Sequence, residues 1–110
     1  AQNELGNTAE ALPALNSVRP RARRGAAAGI LPDVTTTDQV ALRNAIRQER
    51  RIELAMEHDR FFDIVRWGIA QQAMHAAGKT NFLDSRDVLL PIPQTQIDLS
   101  KGVLRQNPGY

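Results

Sequence analysis

Between Asp38 and Trp67 the chain contains neither proline nor glycine, and apolar residues return through that stretch at helical spacing. No other feature limits the fold as much. Leu42, Ala45, Ile46, Ile52, Ala55 and Met56 keep the 3.6-residue period of a helix with one face toward a core. Thr36 and Gln39 read as a capping box, and Asp38 falls in the first turn, where a carboxylate meets the positive end of the helix dipole. A second apolar set follows: Phe61, Phe62, Ile64, Val65 and Trp67. The pattern predicts a long helix that either runs on or breaks near His58. Gly68 ends it, or helix resumes from Ile69 to Ala76, and Gly78 closes the region.

The flanks are punctuated differently. ELGN, near the N-terminus, is a helix-ending turn signal, with Gly6 available for a left-handed cap. Asn7 and Glu10 resemble a capping box. They predict a helix from Thr8 to Arg24, with Ala11, Leu12, Leu15 and Val18 on one face. Pro13 and Pro20 each remove a backbone donor inside it. Residues 25–36, GAAAGILPDVTT, read as a loop whose Ile30, Leu31 and Val34 tuck onto the core. The last 23 residues, VLLPIPQTQIDLSKGVLRQNPGY, hold three prolines and two glycines. They predict an extended segment over Val88–Pro93, a short helix over Thr95–Leu99 and an irregular tail. Leu89, Leu90 and Ile92 are apolar enough to call for cover, so the tail is expected to lie on the helices. The fold class is therefore all-α, and a chain of 110 residues makes one domain the prior.

Composition narrows the function classes. The chain has no cysteine, which excludes a disulfide framework and a thiolate zinc site. No run approaches the length of a membrane span. AQNELGNTAEAL lacks the basic and apolar regions of a signal peptide. With so few residues before Gly6, the chain is expected to start inside a larger natural domain. The net charge of +2 is too small to imply a nucleic-acid partner by itself, and only Lys79 and Lys101 among the bases are lysines. Arginine favours fixed, bidentate pairing with carboxylates.

The question is what the charges in ERRIELAMEHDRFFDIVRWG, residues 49–68, do. Catalysis needs carboxylates with separated pKa values in a cleft. Glu49, Glu53 and Glu57 stand one helical turn apart, and each has arginines nearby, such as Arg50 for Glu53 and Arg47 or Arg51 for Glu49. That is the pattern of neutralised structural charges. A metal site fails on spacing: Glu57 and His58 are adjacent, Ala55 occupies the place a Glu-x-x-His pair would need, and His75 is distant. Arg19, Arg21, Arg23 and Arg24, then Arg43, Arg47, Arg50 and Arg51, could meet phosphates. Glu49 and Glu53 oppose that, and aromatics are not interleaved for base stacking. The reading that fits best is ion pairing and packing. Arg60, Asp63 and Arg66 share a helix face beside Phe61, Val65 and Trp67. His58 and His75 read as surface or helix-end residues. Trp67 reads as core, with stacking on a sugar ring as the minority reading.

Three blocks carry a resemblance. They are GNTAEALPALNSVRPRA (6–22), IRQERRIELAMEHDRFFDIVRWG (46–68) and LLPIPQTQIDLSKGVLRQNPGY (89–110). In order and spacing they resemble the C-terminal part of the SusD/RagB family of outer-membrane nutrient-binding lipoproteins. Together they cover nearly the whole chain. The resemblance implies a tetratricopeptide-like helical scaffold, of which residues 5–19 look like half a repeat. It implies capture of glycans or other nutrients at the external face of the outer membrane, for import through a SusC-like TonB-dependent transporter. It implies no enzyme activity, no cofactor and no metal. Family members are several times longer, and their ligand contacts lie mainly in variable loops outside these blocks. Glu49, Arg50, Arg51, Glu53, Arg60, Asp63, Arg66 and Trp67 are thus expected to be scaffold residues, and ligand-binding residues stay unassigned. The chain departs from the family at Pro13 and at His58, where members often carry glycine or asparagine. The alternatives are a free-standing helical adaptor for a peptide or protein, and an arginine-rich nucleic-acid binder.

Overall fold

A computed structural model describes residues 1–27 and 29–110; Ala28, inside the predicted loop, lies outside them. Every regular element among the described residues is helical. The chain divides into two compact units, Ala1–Met56 and Glu57–Tyr110.

The first unit opens with a 3₁₀ turn, Gln2–Leu5, closed by Gly6 at φ 86 as the ELGN signal implies. Helix α1 (Thr8–Asn16) follows, then the single turn α2 (Arg19–Ala22) and the long helix α3 (Gln39–Glu53). The predicted helix from Thr8 to Arg24 is thus two pieces. Pro13 is carried inside α1, whereas Pro20 stands in the first turn of α2. A proline is tolerated at a helix start because no intrahelical partner awaits its nitrogen there. The break at Ser17 and Val18 puts Pro20 in such a place. The two predicted capping boxes also fail. Asn7 makes no cap bond, and its Nδ2 donates to Gln2 Oε1 instead. On α3 the cap is Asp38, whose carboxylate accepts from the Ala41 amide at 2.7 Å. An anion is the stronger acceptor at that pole, so it displaces Thr36 from the role.

The core of this unit is Ala11, Leu15 and Leu42, with Leu12, Val34, Ala45 and Ile46 against it. The predicted stripe of α3 is buried only in its first half: Ile52 is exposed and Met56 is 94% exposed. From the loop, Val34 reaches the core while Ile30 stays exposed. Asn16 fixes Val34 by a reciprocal pair, Nδ2 donating to the Val34 carbonyl and Oδ1 accepting from its amide, both at 2.9 Å.

Helix α3 stops at Glu53, so the helix neither runs on nor reaches a break near His58. Met56 and His58 then take left-handed backbone conformations, φ 71 and 65. Side chains with a Cβ adopt these at a cost of roughly 1–2 kcal/mol each. Glycine or asparagine would adopt them more readily.

The second unit holds α4 (Arg60–Arg66), α5 (Ala70–Ala76), α6 (Asp84–Asp87) and α7 (Gln94–Leu99). Gly68 and Gly78, both left-handed, end α4 and α5. In each case the next amide bonds back five residues, Ile69 to Ile64 and Lys79 to Met74, the Schellman closure that requires a left-handed residue. Ile64, Ala70 and Phe82 form the core, with Phe61, Val65, Ile69, Ala73, Met74 and Val88 packed on it. Phe61 meets Phe82 edge-on at 6.4 Å. Asp84 ties α6 to the start of α5: its Oδ1 accepts from the Gln71 amide at 2.8 Å, and Gln71 Oε1 accepts from the Asp84 amide at 3.1 Å.

The tail is held differently from expectation. Val88 packs on the core, but Leu89 and Leu90 are exposed, Leu90 at 79%. Polar side chains secure the segment. Gln106 bonds both the amide and the carbonyl of Ile92 at 2.8 Å, and Asn107 Nδ2 donates to the Leu90 carbonyl at 2.6 Å. Tyr110 donates to the Leu89 carbonyl at 3.2 Å. Proline-bearing extended chain has no regular partner for its backbone groups, so amide side chains supply one.

Candidate functional site

In the first unit, two carboxylates of the signature block pair between elements. Glu49 is buried, and its Oε2 accepts from Arg19 on α2 at 2.6 Å, both side chains being 11% exposed. Glu53, one turn on, takes Arg21 of the same short helix. Arg50 is half-buried beside them and Arg51 is exposed. Sequence spacing pointed Glu49 to Arg47 or Arg51. The structure gives it a partner that spacing along the helix does not reach, Arg19, 30 residues away.

The first arginine cluster also holds the loop. Arg19 donates to the Pro32 carbonyl, Arg23 Nε to the Leu31 carbonyl at 2.8 Å, and Arg23 pairs with Asp33. Arg43 of the second cluster grips Glu4 in a bidentate pair, at 2.8 and 2.6 Å. That pairing holds the Glu4 carboxyl below its ordinary range, the Arg43 hydrogen bond being the main cause. Asn3 and Gln39 complete the junction: Asn3 Nδ2 donates to the Gln39 carbonyl at 3.0 Å, and Gln39 Nε2 to the Asn3 carbonyl at 2.7 Å. These arginines therefore face acids and carbonyls of the chain itself.

In the second unit, Asp63 is 3% exposed and accepts from Arg66 at 2.6 Å, one turn along α4. The predicted shared face is present there. Arg60 turns the other way along the helix and lays its guanidinium 5.8 Å from the centre of the half-buried Trp67 ring, a cation–π distance. Two helical turns separate them, which puts both on one side. His75, in the last turn of α5, donates from Nε2 to the Phe82 carbonyl at 2.8 Å, and His58 is exposed.

A further constellation escaped sequence reasoning. Asp87 at the end of α6 accepts from the Leu83 amide at 2.8 Å and from Arg86 at 2.6 Å, with the Tyr110 hydroxyl at 3.4 Å. These donors lower its carboxyl to about 2, Arg86 first and the Leu83 amide next. The signal was the DSRD tetrapeptide, with acids at both ends of a single turn. It was hidden by the prolines that follow.

Chemically, the paired carboxylates hold arginines fixed rather than standing free for proton transfer. No group of three or more His, Asp or Glu side chains among the described residues converges as a metal site. No helix among them is long and apolar enough to cross a membrane. What the arrangement does is join short helices and loops that have little apolar area of their own.

Short helices joined by arginine–carboxylate pairs define the class of the fold, an all-α arrangement. The model of the SusD family matches residues 1–110, and the chain belongs to that family. Among curated proteins it is similar to SusD-like protein P2 of Formosa agariphila, 35% identical over all of this chain and 23% of that protein. It is similar also to SusD-like protein P25 of the same organism, 33% identical over 99% of this chain and 22% of that protein. The chain thus spans under a quarter of the length of these relatives. No solved structure matches.

Proposed function

We propose that this chain is the C-terminal scaffold portion of one larger domain in a cell-surface nutrient receptor. In this reading the full protein captures a glycan or other nutrient without chemistry, at the external face of the outer membrane, and passes it to a SusC-like TonB-dependent transporter. Membership of the SusD family supports the nutrient-binding part. The observation that carries the scaffold part is the buried Arg19–Glu49 pair, which spends the signature charge inside the fold. Glu49, Arg50, Arg51, Glu53, Arg60, Asp63, Arg66 and Trp67 then serve folding, and the nutrient is held elsewhere in the full protein. The internal pairing of Arg19, Arg21, Arg23 and Arg43 argues against a polyanion surface, since each cation already meets an acid.

An immunoblot of fractionated source cells, with antibody raised to this segment, tests the reading. The expected result is a band several times heavier than 12.2 kDa, in the outer membrane and open to external protease. A soluble band at the mass of this chain alone would overturn the proposal and put the free-standing adaptor in its place.

A further inference from the structure

Arg24 ends the basic run that closes α2, and Gly25 follows it in a left-handed turn, φ 78. Arg24, Gly25, Ala26 and Ala27 are all exposed. A Cβ added at Gly25 would meet nothing within 4 Å, so the turn projects into open space. Two backbone bonds shape it, from the Arg24 amide to the Arg21 carbonyl at 3.4 Å and from the Ala26 amide to the Arg23 carbonyl at 3.0 Å. Arg19, Arg21 and Arg23 each meet an acid, whereas Arg24 makes no ion pair among the described residues. The chain is held firmly on both sides of this turn. Arg19 and Arg21 reach Glu49 and Glu53, and Arg23 holds the Leu31 carbonyl and Asp33. Asn16 fixes both backbone groups of Val34, and Ala11 and Leu15 pack with Leu42. Each of these contacts joins a residue before Arg24 to one after Gly25, and none depends on the bond between those two.

We propose that the Arg24–Gly25 peptide bond is a cleavage site for an arginine-specific endopeptidase, and that the cut protein stays assembled. The free guanidinium of Arg24 is the handle that an acidic specificity pocket takes. Hydrolysis adds one water across the bond: the hydroxyl goes to the Arg24 carbonyl carbon and the proton to the Gly25 nitrogen. A protease needs the backbone to open locally, and exposed turns open most readily. Here two turn bonds at the end of a single helical turn must give way. Other arginines serve less well. Arg19 is half-buried and precedes Pro20. Arg43, Arg50 and Arg51 lie within α3, where opening breaks a run of helical bonds. Arg105 is exposed, but Gln106 after it is tied to both backbone groups of Ile92. The proposal stands apart from the nutrient-receptor reading.

Limited digestion of the full-length protein with clostripain, which cuts after arginine, tests this. Within residues 1–110 the first new N-terminus is expected at Gly25, formed about tenfold faster than at any other arginine there. The two pieces should leave a sizing column together in buffer and part only in urea. Arg24→Lys keeps the exposed charge and should transfer the cut: clostripain then spares the bond, and a lysine-specific endopeptidase opens it. A first cut at Arg105 or inside α3 would overturn the proposal. So would a bond that stays whole in the folded protein while the urea-unfolded protein is cut there. Pieces that separate without denaturant would overturn the claim of assembly, and unchanged clostripain cutting of Arg24→Lys in this turn would remove Arg24 as the recognised residue.

Discussion

Removing the Glu49 carboxylate should loosen the first unit far more than removing an exposed charge there, such as Arg21. Arg19 is 11% exposed at its side chain, and its Nε has no hydrogen-bond partner. The Pro32 carbonyl and Glu49 hold the other two nitrogens. Glu49→Ala leaves that cation with the carbonyl alone, in a place water scarcely reaches. Breaking one side of a buried pair costs about 3–5 kcal/mol, chiefly by stranding the other charge. The small remaining exposure favours the lower end, about 3 kcal/mol. By the rule that 1.4 kcal/mol is tenfold, amides of α1 and α3 should then exchange roughly 100-fold faster. Hydrogen exchange read by mass spectrometry on the full-length protein measures this. Arg21→Ala is the internal control. Its side chain is 72% exposed, and its pair with Glu53 is worth about 0–1 kcal/mol. Replacing both partners, Arg19→Met with Glu49→Leu, should restore most of the protection, because no charge is left stranded. If Glu49→Ala exchanged no faster than Arg21→Ala, the claim that this pair joins α2 to α3 would be wrong.

Other consequences follow from single contacts. Asp38→Ala removes the cap bond to the Ala41 amide and should cost about 1 kcal/mol in urea unfolding; no change would mean that Thr36 caps α3 after all. His58→Gly relieves a left-handed backbone at φ 65 and should raise stability by about 1 kcal/mol or leave it level, whereas destabilisation would show that the His58 side chain makes a contact worth more than the strain. Asp87, lowered from 3.8 to about 2, contributes stability that is present above its unfolded value and lost as pH falls from 3.8 through about 2. A carboxyl NMR titration should find its midpoint near 2, with Arg86→Ala raising it; a midpoint near 3.8 in the intact chain would contradict the cluster at Tyr110.

Local signals in the sequence carried most of the helical outline. Gly6, Gly68 and Gly78 each stand left-handed at the end of an element, the form that the ELGN signal implied for Gly6. The short helix predicted over Thr95–Leu99 is α7, Gln94–Leu99. The departures arise where a nonlocal partner outweighs a local preference. Spacing along α3 could not reveal that Glu49 and Glu53 look across to Arg19 and Arg21. Nor could hydropathy show that Gln106 and Asn107, rather than Leu89 and Leu90, fasten the tail. The stop at Glu53 had one visible trace. His58 stands where the resembling family often has glycine or asparagine, the residues most at ease in the left-handed region that His58 occupies.

The central claim is that the signature charges build the scaffold and do not touch the nutrient. Asp63, 3% exposed and bonded to Arg66, offers the most direct test. The measurement is thermal melting and polysaccharide retention on the same preparation of full-length Asp63→Ala. The account predicts a lowered melting temperature, with retention preserved at temperatures where the variant is still folded. Unchanged melting with lost retention would place Asp63 in the binding site and contradict it.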